Sequence, residues 1–510
     1  MDDNIGPIHG KTHREVIHIQ VGKTGNAVGH EFWRDICEEH RIDFQSDVDR
    51  GKFKGDSDKY SEHLEVFFNE TKKGLRWVPR SVLVDLNMQD LAQITQNPLG
   101  DLYRPENIIG NDEGSGNCYA KAFHTEGPDL ADKVLDTVRR EVEKCHKLQG
   151  VQFCHGICGG TGSGLTGLIQ RTLYDYLGQG SKCIMQNFAV CPAPNMADVV
   201  IEPYNAALAM QDLLEQSHQV FLFDNAALSD ICTRTLDKEV PKMSEINNIV
   251  ALCMSCITSC LRFSGPLNSD LRKMQTNIVP FRNAHFLISG FAPLTAPGSQ
   301  KYRKFSVLDL AQQMISKDNV TVKCDPLNPG DRRKGIETAR FLASWASWRG
   351  AHFKTREVEH VTHGLQRKGS RFDKHFPDWI SGCIASNICE VPHSEGECVC
   401  MTSNNTAVHE VFDRIMHSWD SLHKPKAYLH VFEQDGISVE NMMESRNILE
   451  YISEQYREFA KWPDNILKEE SSTGPEGRPA VNDPAITNEE QGRIAHELAD
   501  LSMPMYISSV

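Results

Sequence analysis

Long apolar runs are missing from this 510-residue sequence. No stretch of 18 or more apolar residues occurs, so a membrane-spanning helix is not expected. The opening segment, MDDNIGPIHGKTHR, has no apolar stretch behind a basic start and does not read as a secretory leader. A basic surplus is missing as well. The formal net charge of −15 argues against a dedicated nucleic-acid binder, because neutralising phosphates takes a basic face. It suits solubility and basic partners. Catalytic signatures are equally scarce. The 21 histidines include no H-E-x-x-H spacing, and no G-x-S-x-G nucleophile elbow occurs. A nucleotide-dependent metabolic enzyme therefore has no catalytic constellation to rest on.

What is present describes a globular chain, with 40% hydrophobic and 24% charged residues. The length calls for two or three domains. Sixteen cysteines without a secretory leader are expected to stay reduced in the cytosol. Cys253-Met-Ser-Cys256, followed by Cys260, has zinc-like spacing, but a structural zinc needs a second pair of ligands. On an apolar helix these three read as small core residues. Cys398 and Cys400 share one face of a predicted strand, with no partner pair evident.

Short apolar runs alternate with amphipathic stretches through the first half. EVIHIQV, SVLVDL (81–86), GVQFCHGI, CIMQNFAV (183–190) and QVFLFDN (219–225) read as strands, each leading toward a helix. This order predicts a mostly parallel sheet covered on both faces, which binds ligands at the carboxyl ends of its strands. SEINNIVALCMSCITSCLRF (244–263) is apolar on nearly every side and reads as a central buried helix. AHFLISGF (284–291) belongs to a second strand-bearing region, and NTAVHEVFDRIMHSW and VENMMESRNILEYISEQYREF are amphipathic helices near the C-terminus. From about Lys461 the composition turns to Pro, Gly, Ser and Glu, the pattern of a mobile tail.

Three glycine loops carry the functional signal. CGGTGSG (158–164) follows a strand and opens a helix with Leu165, Ile169, Leu173 and Leu177 at i, i+4 spacing. Glycines let the backbone approach an anion, and the helix N-terminus adds positive partial charge. GSGN (114–117) and VGKTGN (21–26) each precede helix-like sequence too. Gly22-Lys23-Thr24 looks like a P-loop ending, but the glycine needed five residues upstream is Ile17. A dinucleotide fingerprint fails as well, because Leu165-Thr166-Gly167 breaks the spacing. Separate loops converging on one phosphate chain is the reading that stands.

The combination resembles the tubulin family, whose signature is a G-G-T-G-[Ser or Ala]-G loop. The resemblance runs from about Arg14 to Phe459. REVIHIQVGKTGN, VPRSVLVDL, NCYAKAFHTEG, VVIEPYNAAL, DNAALSDICTRTL, GPLNSDLRK, GFAPLTAPGSQKYR and KAYLHVF stand in the family's order. It implies an α/β fold: a Rossmann-like, mostly parallel GTP-binding domain (13–242), a core helix (243–262), an intermediate α/β domain (263–404), C-terminal helices (405–461) and a flexible tail (462–510), behind an N-terminal extension (1–12). It implies GTP or GDP as ligand, with Gly22, Lys23, Thr24, Gly25, Gly114, Ser115, Gly116, Asn117, Gly156, Gly160, Thr161 and Gly162 around the phosphates. Asp198 and Glu202 would lie by the ribose, Asn225 and Asn247 at the guanine edge, and Met243 where the family stacks an aromatic ring. Asp85 and Asn87 mark the magnesium position.

The nearest branch is β-like. Lys273 stands where α-like chains carry the glutamate that activates water for the next subunit, and the loop CEVPHSEGECVC (389–400) is short. A lysine does not serve as that acid or base at neutral pH. The resemblance therefore implies a head-to-tail α-tubulin-like partner that completes this chain's GTPase site. It also implies a place in the microtubule lattice of the cytoplasmic cytoskeleton, leaving open whether in a cilium, a basal body or a spindle, with no nucleic-acid or membrane partner. Departures cluster at the nucleotide. Lys23 replaces a glutamine, as a point charge facing the phosphates, or else pointing to solvent or paired with Asp112 or Glu113. Asn87 replaces an acid, which weakens magnesium. Met243 forfeits ring stacking. Together they predict slowed hydrolysis with binding retained. FQSDVDRGKFK (44–54) enlarges a lateral-contact loop, LNPGDRRKGIETARF (327–341) is a basic insertion, and the tail ELADLSMPMYISSV lacks the family's glutamate cluster. These surface changes favour an alternative, a non-polymerising or capping GTP-binding relative.

Overall fold

A computed structural model describes residues 14–461, apart from 56, 72–75, 178–181, 194–198, 235–239, 266, 268, 295–304, 331–337, 381 and 394–395. The N-terminal extension, the core of the basic insertion and the tail lie outside the described residues.

The strands are β1 (Glu15–Val21), β2 (Phe68–Thr71), β3 (Arg76–Pro79), β4 (Ser81–Asp85), β5 (Ile108–Gly110), β6 (Leu148–Gly156), β7 (Ile184–Cys191), β8 (Gln219–Asp224), β9 (Phe286–Ala292), β10 (Phe341–Arg349), β11 (Ile384–Cys389) and β12 (Cys398–Asn405). Helices α1 (Gly22–Glu39), α2 (Met88–Thr95), α3 (Gly127–Glu143), α4 (Thr166–Leu177), α5 (Glu202–Gln216), α6 (Asn225–Arg234) and α7 (Met243–Arg262) alternate with the first eight strands. After them come α8 (Leu271–Ile278), α9 (Val307–Ile315), α10 (Thr355–Gln366), α11 (His409–His423), α12 (Leu429–Gln434) and α13 (Val439–Lys461).

Ten strands form one sheet in the order β11-β10-β12-β9-β8-β7-β6-β1-β4-β5, and β2 and β3 form a separate hairpin. From β5 to β9 every neighbour is parallel, whereas β12 runs antiparallel to both β9 and β10. The fully buried strands explain the continuous apolar runs of the sequence, since a parallel sheet is covered on both faces. On one face Val16, Leu83, Phe188 and Phe221 pack under Phe32 and Trp33 of α1 and the body of α7. On the other, Ile17, Ile19, Val82 and Val151 meet α3 and α4 through Val134, Val138 and Ile169. Farther along, Val220, Leu222 and Phe286 meet α5, α11 and α13. The sheet crosses from β8 to β9 through three residue pairs, Val220–Phe286, Phe221–Leu287 and Leu222–Ile288.

Helix α7 begins where the Glu245 carboxylate accepts the Lys242 amide at 3.0 Å, and it is buried without interruption from Ile249 to Arg262. Among the described residues it alone is long and apolar enough to cross a membrane, but it lies inside the protein. Its polar end holds a buried ion cluster. The Glu39 carboxylate, at the end of α1, accepts from Arg349 Nη1 (2.7 Å) and Ser255 Oγ (2.7 Å), and it also takes Arg262. Both arginines are fully buried. Burial alone would raise the Glu39 pKa, but the two guanidiniums outweigh it and hold the group well below the usual carboxylate range. Nearby His393, 3.3 Å from Glu39, is pushed down to about 4 by burial and stays neutral at pH 7.

Candidate functional site

The order of the sheet reverses between β1 and β6: chain segments after β1 build outward through β4 and β5, and those after β6 build outward through β7 and β8. Loops leaving the carboxyl ends of these two neighbours part in opposite directions and open a crevice between them. Both carry glycine-rich sequence.

Gly22 turns the chain from β1 into α1 with φ +74°, a conformation that side chains resist. A Cβ there would lie 3.1 Å from the Gly162 amide nitrogen, so the first and third glycine loops touch backbone to backbone. A Cβ on Gly160 would lie 2.5 Å from Cys118 O and 2.6 Å from Ser115 Oγ, which brings in the second loop. Ser115 Oγ and Thr161 Oγ1 stand 3.2 Å apart. The three loops are one structure.

The second loop faces open space. Gly114, Gly116 and Asn117 have φ of +66°, +58° and +58°, and a Cβ on either glycine would meet nothing within 4 Å. Left-handed turns of this kind expose successive N–H groups in an anion-binding concavity. The third loop enters its helix through a π-helical turn at Thr161–Leu165 that leads into α4. Such turns recur at functional sites. His155 donates from Nδ1 to Gly162 O at 2.8 Å; burial pushes its pKa down to about 4, so it braces the loop as a neutral ring.

Two residues that sequence reasoning missed hold the loops together. Asn205, buried in α5, donates to Asn117 O (2.7 Å) and Cys158 O (2.9 Å) and accepts from the Tyr119 amide (3.0 Å). Asn26 donates to Gly22 O (3.0 Å) and Val84 O (2.9 Å). The available signal was an asparagine within the otherwise apolar helical turn YNAAL. Replacing Asn205 with alanine removes three hydrogen bonds at about 1 kcal/mol each. We expect Asn205→Ala to lose about 2–3 kcal/mol of stability, read as a lower urea midpoint. An unchanged midpoint would refute this bracing role.

Asn225 opens α6 at the end of β8, and Asn247 lies in the first turns of α7. Among the described residues neither amide has a hydrogen-bond partner, which leaves both amides uncommitted. Met243 begins α7 with 51% of its surface exposed. Buried Glu202, at the start of α5, accepts the Val199 amide at 3.3 Å. Asp198 lies outside the described residues. Lys273 is exposed in the first turn of α8, its amide capped by Asp270 Oδ1 at 2.7 Å.

The residues expected at the magnesium position lie at the end of β4 and the start of α2. Asn87 caps α2: its Oδ1 accepts the Gln89 amide (3.1 Å) and its Nδ2 donates to Asp90 Oδ2 (3.0 Å). Asp85 accepts the Asn87 amide through Oδ1 at 3.1 Å, whereas its buried Oδ2 has no partner among the described residues. Burial raises the Asp85 pKa to about 7, because the low-dielectric surroundings disfavour the charged carboxylate. Lys23 is 79% exposed, and the acid beside it is Asp90, at 3.9 Å, instead of Asp112 or Glu113. Phosphates fit the loops. A divalent cation would meet few carboxylates here: Asp85 is the buried acid, Asn87 is a neutral helix cap and Asp90 lies beside Lys23. Among the described residues no cluster of three metal-ligating side chains occurs.

Comparison with known proteins decides the family. Residues 15–233 match the Tubulin/FtsZ family, GTPase domain, and residues 283–417 match the Tubulin C-terminal domain. The chain is 39% identical over 449 residues to a Tubulin beta-3 chain of Oomycete-like sp. (strain MacKay2000), covering 88% of this chain and 95% of that relative. The chain belongs to the tubulin family. For a tubulin, the GTPase-domain match implies that the cradle is built for a guanine nucleotide. The α/β fold of this tubulin is the one the resemblance implied, its C-terminal helices α11 and α13 packed against α5.

Proposed function

We propose that this tubulin is a GTP-binding, β-like subunit that pairs head-to-tail with an α-tubulin-like chain in the microtubule cytoskeleton. The partner would complete its GTPase site. The observation that carries the proposal is the meeting of three glycine loops at the β1–β6 crevice, with Gly114 and Gly116 left open to a ligand. Backbone amides and helix N-termini there complement a triphosphate. Asn225 and Asn247 offer amide donors and acceptors suited to a guanine edge. Exposed Lys273 supplies no water-activating carboxylate to a neighbour, so any hydrolysis at this chain's nucleotide depends on an acid from the partner. Such a heterologous contact propagates into filaments.

Purified protein is expected to release about one GTP or GDP per chain on denaturation, identified by chromatography against standards. Protein free of guanine nucleotide would defeat the proposal.

One observation favours a second reading, a capping or regulatory relative. The enlarged loop after α1 is pinned by ion pairs of Lys54 with Asp43, Lys52 with Asp49 (2.8 Å) and Arg50 with Asp101 (2.8 Å). It presents a firm extra body where lateral neighbours would sit. Co-sedimentation with microtubules followed by imaging separates the readings: incorporation along the lattice supports the subunit, end-binding the cap.

A further inference from the structure

Four cysteines meet between α7 and β12. Cys253 and Cys256 are three residues apart on a helix, and Cys398 and Cys400 two apart on a strand, so each pair shares one face. Cys256 Sγ lies 3.6 Å from Cys398 Sγ, and Cys400 is hydrogen-bonded to Cys253 one rung away. All four are buried free thiols. The first pair borders the ion cluster described above, where two buried guanidiniums face one carboxylate.

We propose that Cys256 and Cys398 are a reversible dithiol that closes to a disulfide under hydroperoxide oxidation, stapling α7 to β12. Their sulfurs stand 3.6 Å apart, and a bond of about 2.05 Å requires them to close by about 1.5 Å. Charge favours Cys256 as the attacking group. Burial pushes its thiol up, but the Cys398 hydrogen bond and the positive charge of Arg349 outweigh burial and leave its pKa lowered. The thiolate, not the thiol, is the nucleophile. A cavity of about 660 Å³, lined by Glu39 and His393 among others, borders the same ion cluster.

The chemistry balances with a hydroperoxide as the two-electron oxidant. The Cys256 sulfur attacks the O–O bond; an S–O bond forms and hydroxide leaves, taking up the proton given up by Cys256. The Cys398 sulfur then displaces the hydroxyl from Cys256, forming S–S, and the Cys398 proton departs in the second water. A small thiol reverses the link by exchange. The staple joins residues 142 apart in the chain. It fixes the helix that also carries Asn247, and it does not depend on the nucleotide proposal.

The test is differential alkylation of the full chain after graded hydrogen peroxide, with peptide mass mapping. The expected result is a Cys256–Cys398 linked peptide, two alkylatable thiols lost per chain, and full recovery with dithiothreitol. In Cys398→Ser the expected product is a dimedone-trapped sulfenic acid on Cys256; should that variant not fold, the wild-type map alone decides. The proposal is overturned if both thiols stay alkylatable while other cysteines react. It is overturned equally if the link forms in similar yield from urea-unfolded chain, or if the protein releases one zinc per chain on denaturation.

Discussion

Glu39→Gln is expected to lower the free energy of unfolding by about 3–5 kcal/mol, the cost of stranding buried charge. Among the described residues Glu39 is the carboxylate that joins Arg262 and Arg349, both fully buried, and the Ser255 hydroxyl, which donates to it, accepts from both arginines. Glutamine keeps the shape but removes the charge, leaving two guanidiniums in the core without an anion. The measurement is the urea midpoint at constant slope. The pH dependence has a definite sign. The folded pKa of Glu39 is lowered below its ordinary 4.5, so its contribution is present above that value and is lost as pH falls through the folded pKa. Wild type should therefore lose stability in acid more steeply than Glu39→Gln. Adding Arg349→Met to the glutamine variant should recover part of the loss, because fewer charges remain unpaired. If the midpoint does not move in Glu39→Gln, the cluster holds nothing together.

Gly162→Ala is expected to weaken guanine-nucleotide binding at least tenfold, about 1.4 kcal/mol. Its Cβ would lie 2.3 Å from Gly156 O, a backbone atom that cannot swing aside. The third loop must shift, and Gly22, whose turn packs on the Gly162 amide, must shift with it. Gly159→Ala is the matched control: the nearest atom to its Cβ is Asn117 Oδ1 at 3.8 Å, and binding should be retained. Titration with a fluorescent guanine nucleotide reads both. Equal affinities for the two variants would show that the loop contact plays no part in binding.

How far the sequence speaks depends on range. EVIHIQV coincides with β1, SVLVDL with β4 to within a residue, and the segment 244–263 with α7 shifted by one. Those elements are set by periodicity and unbroken apolarity, which are local properties. The glycine loops were legible because a backbone that approaches another backbone tolerates no side chain, and that constraint is written into residue identity. The start of α1 at Gly22, instead of near Asn26, was hidden because a glycine-threonine turn disguises the first helical residues. Asn205 reads as one more helical position until Asn117 and Cys158 are brought to it. Glu39 with Arg262 and Arg349, Cys256 with Cys398, and Lys23 with Asp90 pair residues far apart in sequence, so nothing in a local window announces them. Asn87, read only as a neutral residue at the magnesium position, also caps α2, a short-range role that its neighbours in sequence could have announced.

The margins of the large sheet have a bearing on how such a chain meets its neighbours. At one margin stands β5, three residues long; at the other, Leu267 forms an antiparallel bridge to Ile388 of β11. A stub that short offers little main chain for a foreign strand to zip onto, and the bridging leucine obstructs the opposite side. Extension of one copy's ladder by another is therefore disfavoured at both margins of the large sheet. What these margins leave for contact with another chain is the helices and loops on either face of the sheet.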